Sequence, residues 1–207
     1  MSAVLPAAAM QRITCADLRH LAAAYRPALH HAAARCTREV KLYLHWTAGH
    51  YGQFFADYHV QVDADGGIYV IGDGVLDDVL AATYLRNSGS VSIALLGCVG
   101  AMTEQLGHEP PTAAQIESLA MATAALADGL WLSIDAEHIL THGEAADNAD
   151  GVYAHPPYGP RTTCERWDLE YLGTRESPIF NPWAEDGSRG GDILRGKAQY
   201  YREQGGF

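Results

Sequence analysis

SVSIALLGCVGA, residues 90–101, is a nearly continuous apolar run. A strand with one wet face alternates apolar and polar side chains. A run without alternation is a strand covered on both faces, as in the middle of a parallel or mixed sheet with helices packed on it. The flanking segments agree. VKLYLHW (residues 40–46) is a second apolar strand. In DYHVQVDADGGIYVIGD (residues 57–73), Tyr58, Val60 and Val62 alternate with His59, Gln61 and Asp63 before an Asp65-Gly66-Gly67 turn, which predicts a hairpin. AEHILTH (residues 136–142) is a short strand.

Helices fall between and around these strands. Residues 14–36 read as one, with Thr14 as cap, Asp17 in the first turn, Leu18, Leu21, Ala22 and Tyr25 on one face, and Pro27 set to kink or split it. In residues 110–132, Thr112 and Gln115 form a capping box. Residues 190–204 predict a terminal helix with Asp192 at its start, and residues 143–166, polar and rich in glycine and proline, a long loop. The expected fold is α/β: a single domain with a central mixed β-sheet of about five strands flanked by helices. The expected divisions are an N-terminal helical extension over residues 1–38, a core over 39–173 and a C-terminal extension over 174–207.

The chain has 207 residues, is 48% hydrophobic and carries a formal charge of −11. It is long enough to bury a core without disulfides. Its charge would repel a nucleic acid, while a small molecule, peptide or neutral glycan fits. No run approaches the roughly 18 apolar residues of a membrane span. The N-terminus lacks a basic region before its apolar residues, so no signal peptide is expected. Cys15, Cys36, Cys98 and Cys164 form no CxxC pair. Cys15 and Cys36 flank a helix that would hold them roughly 30 Å apart, beyond the reach of a disulfide. Reduced thiols are expected.

HWTAGHYGQ, residues 45–53, places His45 at the end of an apolar strand, before a glycine-containing loop. ILTHGE, residues 139–144, places His142 in the same way. A third metal ligand could come from TTCERWDLEYL, residues 162–172, as Asp168 or Cys164. Two histidines with one carboxylate or thiolate, the fourth position left to water, is the pattern of a catalytic zinc site.

The order HWTAG, YHVQVDADGGIY, NSGSVSIALLG, PPTAAQIESL, ILTHGE, RWDLEYL resembles the zinc-dependent N-acetylmuramoyl-L-alanine amidases, the type 2 amidase and peptidoglycan-recognition-protein family, and within it the phage- and prophage-type cell-wall enzymes. The resemblance spans about residues 40–172. It implies Zn2+ on His45, His142 and Asp168, with Cys164 the alternative third ligand. Asp168 follows Arg166 by two places, as the family's third ligand follows a basic residue; Cys164 follows Thr162. It also implies that Tyr58 handles the proton of the attacking water, since the glutamate another branch carries on the central strand is Ala94 here. Arg166 stands where the family usually has a lysine that stabilises the oxyanion. Thr47, His50, Tyr51, Asn87 and Glu144 are weaker candidates for substrate contact, or in the case of Glu144 for orienting a ligand. His59 is expected to point away from Tyr58. His30, His31, His108, His138 and His155 are read as surface residues.

The implied reaction is hydrolysis of the amide between the lactyl group of N-acetylmuramic acid and L-alanine, on peptidoglycan or a muropeptide. The alternatives are a non-catalytic peptidoglycan-binding protein and a cytoplasmic muropeptide-recycling amidase. Without a signal peptide, an endolysin, prophage enzyme or secreted antibacterial effector would reach the wall by lysis or secretion, with an immunity or delivery partner.

Overall fold

The computed structural model describes residues 3–153 and 167–205. In chain order the elements are β1 (Val4–Leu5), a 3-10 turn (Ala7–Ala9), β2 (Met10–Ile13), α1 (Cys15–Arg35), β3 (Lys41–Trp46), β4 (Phe54–Phe55), β5 (Val60–Val62), β6 (Ile68–Ile71), β7 (Ser90–Leu95), α2 (Ala113–Leu130), β8 (Ile139–Thr141), α3 (His142–Ala146) and α4 (Gly190–Gln204). The main sheet has six strands in the order β2-β6-β5-β7-β3-β8, and β1 pairs with β4. β5, β7, β3 and β8 run parallel; β6 and β2 join antiparallel at one edge. The mixed α/β architecture is therefore as the sequence predicts.

β7 is central and all six of its residues are buried. Val91, Ile93 and Leu95 enter the main core with Leu42, Leu44 and Trp46 of β3, Leu18, Ala22 and Leu29 of α1, and Ile116, Leu119 and Leu126 of α2. Helix α1 packs on α2, α2 on α4, and α4 on β8. At the α1–α2 crossing a Cβ on Gly129 would stand 2.5 Å from the Arg19 carbonyl oxygen, so only glycine fits. The opposite face of β3 carries Tyr43, which packs with Leu140 and Ala145 in a smaller cluster. His45, two residues on, belongs to this second face by the period of the strand.

Both long helices start with the capping box read from the sequence: Thr14 with Asp17, and Thr112 with Gln115. Such caps are worth about 0.5–2 kcal/mol each. Three local expectations change. The sheet has a sixth strand, because Met10 and Ile13 of β2 lie half-buried against β6 while Gln11 and Arg12 face out; four residues are too few to show a period. Pro27 does not split α1, which runs unbroken across it. The first residues of the expected loop at 143–166 continue α3 from His142 to Ala146. Among the described residues Cys15, Cys36 and Cys98 are free thiols, and no helix is long and apolar enough to cross a membrane.

Candidate metal centre

His45 lies near the C-terminal end of β3, and His142 follows β8 directly as the first residue of α3. Since β3 and β8 pair in parallel, both histidines emerge at the same end of the sheet. Asp168 reaches them from the segment before α4, where its carbonyl accepts the Gly143 amide at 3.2 Å. The Nδ1 atoms of His45 and His142 are 3.1 Å apart. Oδ2 of Asp168 is 3.2 Å from the first and 3.3 Å from the second. All three side chains are buried.

This triangle fits a metal ion. A tetrahedral ion with ligands at about 2.0–2.1 Å separates neighbouring ligand atoms by about 3.3 Å. Without a cation, these three atoms can sit this close only if a ring nitrogen carries a proton into the triangle, and a metal ion takes the place of that proton. Oδ1 of Asp168 is buried, 3.2 Å from His142 Nδ1, and makes no hydrogen bond among the described residues. Burial alone would raise the Asp168 pKa, but the His142 and His45 rings overrule it and hold the group below the ordinary carboxylate range. An ionised carboxylate at this place is suited to a cation. The residues His45, His142 and Asp168 can hold a metal ion.

The supports of His142 were only half legible. THGE is itself a capping box: the Thr141 amide donates to Glu144 Oε2 at 2.9 Å and the Glu144 amide to Thr141 Oγ1 at 3.1 Å. The S/T-x-x-E signature could have revealed it. Glu144 is buried and also pairs with Arg195 of α4, so its carboxylate faces the protein interior. Arg195 further donates to the Ile139 carbonyl at 2.9 Å. A Cβ on Gly143 would stand 2.6 Å from Glu170 Oε2, which the Arg189 guanidinium holds at 3.0 Å. That contact explains the glycine after the histidine.

Tyr58 stands beside His45, ring centroids 5.3 Å apart. The expected alternation would have put it with Val60 and Val62, which enter the helix-side core. β5 starts only at Val60, so the two-residue period does not extend back to Tyr58. His59 is buried against β7. Its Nε2 pairs with the Asp78 carbonyl and its Nδ1 with Ser92, whose Cα pairs with Tyr43 on the His45 side of the sheet. Burial lowers the His59 pKa, which keeps this ring neutral. Ala94 is the direct β7 partner of His45, so that position offers no carboxylate.

The remaining described candidates already have partners within the protein. Thr47 Oγ1 accepts the Gly49 and Gly97 amides, both at 3.2 Å. The exposed His50 ring pairs with Glu109 at 2.9 Å, and the Tyr51 hydroxyl donates to the Pro110 carbonyl. Asn87 Oδ1 accepts the Thr83 amide at 2.7 Å. Thr83, which the sequence reading passed over, places its Oγ1 at 3.1 Å from His45 Nε2; no local pattern marks a lone threonine in a loop. Arg166, Cys164 and His155 lie outside the described residues. His30, His31 and His108 are exposed, whereas His138 is half-buried between two carboxylates.

A comparison with curated proteins returns no match. Residues 18–166 match the family model described as N-acetylmuramoyl-L-alanine amidase, a span that takes in most of α1, His45, His142 and Tyr58 and stops just short of Asp168. With most of its length matched, a mixed sheet of the expected kind and a buried His-His-Asp group at the end of its parallel strands, the chain belongs to the type 2 N-acetylmuramoyl-L-alanine amidases, a family of peptidoglycan amidases.

Proposed function

We propose that the protein is a zinc hydrolase that cuts the amide between the lactyl group of N-acetylmuramic acid and the L-alanine of the stem peptide. The observation that supports this reading most is the inward-facing triangle of His45, His142 and Asp168. Zinc bound there would acidify a water and polarise the scissile carbonyl. The chain's own residues supply the rest. His45 and His142 enter as neutral rings and Asp168 as the charged donor, so a divalent ion keeps a net positive charge for the substrate oxygen. Tyr58, half-buried against His45, relays the proton: its hydroxyl gives its own proton to the leaving amine as its oxygen accepts one from the attacking water. Arg166 stabilises the developing oxyanion, as a fixed charge with two parallel donors.

The setting we infer is cell-wall lysis, as an endolysin, prophage enzyme or secreted antibacterial effector, reaching its substrate through lysis or a secretion partner. With three donors present, the non-catalytic alternative has no observation in its favour. Ala94 beside His45 speaks against the recycling branch that carries a glutamate there. The test is metal content together with release of stem peptide from purified peptidoglycan. One zinc per chain and free L-alanine amino termini are expected. Intact peptidoglycan after incubation with fully metallated protein would overturn the reading.

A further inference from the structure

We infer that Thr83 is a positioning residue for the metal centre: its hydroxyl accepts the Nε2–H of His45 and holds that ring with Nδ1 turned toward His142 and Asp168. The inference rests on the reading of those three side chains as a metal site.

A neutral imidazole has one N–H and one lone pair. A ring that gives its Nδ1 lone pair to a cation must carry the proton on Nε2. Here Nε2 is buried, and its partner is Thr83 Oγ1 at 3.1 Å, on a residue only 2% exposed. The hydroxyl therefore does two things at once. It satisfies a buried donor, and it selects the tautomer in which Nδ1 can act as a ligand.

Thr83 can do this only if its turn is rigid, and the turn is clamped from several sides. Its amide donates to Asn87 Oδ1 at 2.7 Å, and its carbonyl accepts the Arg86 amide at 3.1 Å. Leu85 is held at φ 57°, a conformation a β-carbon disfavours and surrounding structure must impose. The Arg86 side chain is completely buried. It donates to the Tyr84 carbonyl, to Asp150, to Asn148 and to the Val152 carbonyl. Asp150 also accepts the Tyr43 hydroxyl at 2.6 Å. Tyr43 precedes His45 by two residues on β3, and Asp150 follows the helix that opens with His142. One buried ion pair thus ties the Thr83 turn to the strand of one histidine and to the segment after the other.

The experiment compares zinc affinity, by chelator competition, for the wild type, Thr83→Val and Thr83→Ser, with the melting temperature of each zinc-free protein. Valine keeps the shape without the acceptor; serine keeps the acceptor. Partners that orient a ligand are worth about 10–100-fold in metal affinity. That loss is expected for Thr83→Val, with no more than the modest fall in zinc-free melting temperature that one lost buried hydrogen bond brings, and Thr83→Ser should bind as the wild type does. Equal zinc affinity in Thr83→Val overturns the positioning role alone, as does an equal loss in both variants, which would mark a steric effect. A wild type that takes up no zinc overturns the metal reading, and this inference with it. Should Thr83→Val not fold, the zinc-loaded wild type decides by NMR. The His45 Nε2–H proton should exchange slowly and show a cross-peak to Thr83; its absence overturns the inference.

Discussion

Glu144 and Arg195 meet as a two-pronged pair, each carboxylate oxygen taking one guanidinium nitrogen at 2.8 Å. Both are buried, and they join α3, which begins with His142, to α4. The same guanidinium holds β8 through the Ile139 carbonyl. Removing one partner leaves an uncompensated buried charge, at a cost of roughly 3–5 kcal/mol. Arg195→Met should therefore lower the unfolding free energy, measured by denaturant titration, by roughly that amount. It should also weaken zinc binding, because the corner carrying His142 loosens. A variant with wild-type stability would show that α4 does not brace the site.

His45→Ala, His142→Ala and Asp168→Ala should each fold and lose most bound zinc, whereas Cys164→Ala should keep one equivalent. Elemental analysis of the purified variants checks this. The third-ligand assignment fails if Cys164→Ala loses the metal and Asp168→Ala keeps it.

Tyr58→Phe removes only the hydroxyl beside His45. Zinc content and melting temperature should not change, while turnover on purified peptidoglycan should drop by about 10²–10⁴, the usual range for a proton-transfer group. An unchanged rate would make Tyr58 a packing residue.

Arg166→Ala should lower kcat with little change in KM, the signature of a contact made in the transition state. Arg166→Lys should retain much of the activity. The rival role, anchoring its loop on Glu144, must compete with the Arg195 and Thr141 partners that Glu144 already has. An Arg166→Ala enzyme that is fully metallated and turns over at the wild-type rate would exclude both roles.

His138 offers a pH test. Its Nδ1 lies 2.7 Å from Asp135 and its Nε2 2.6 Å from Glu39. Burial would lower its pKa, but the two carboxylates prevail and raise it above the ordinary histidine value. A raised folded pKa contributes stability in full below the unfolded value near 6.5 and loses it as pH rises through the folded value. The melting-temperature gap between wild type and His138→Gln should thus be largest below about pH 6.5 and narrow under alkaline conditions. A gap that widens with pH would contradict the clamp.

Local patterns in the sequence carried much of this protein. The apolar run at β7, the strand ending at His45, the hairpin around Gly66 and the capping boxes at Thr14 and Thr112 are all short-range signals. Each depends on residues within one turn or one strand, so each is visible without the fold. His45 and His142 were legible for the same reason, as polar residues closing apolar runs. What brought them to 3.1 Å is the parallel pairing of β3 with β8, a contact between segments far apart in sequence. β2 escaped because four residues show no clear period. The resemblance put Tyr58 at the metal centre, beside His45 as found; the hairpin alternation alone could not, because the strand period stops at Val60. Thr83, Arg195 and the buried Arg86–Asp150 pair belong to loops and a helix whose composition signals nothing. Their partners lie dozens of residues away, and only the closed structure decides which buried nitrogen each oxygen meets.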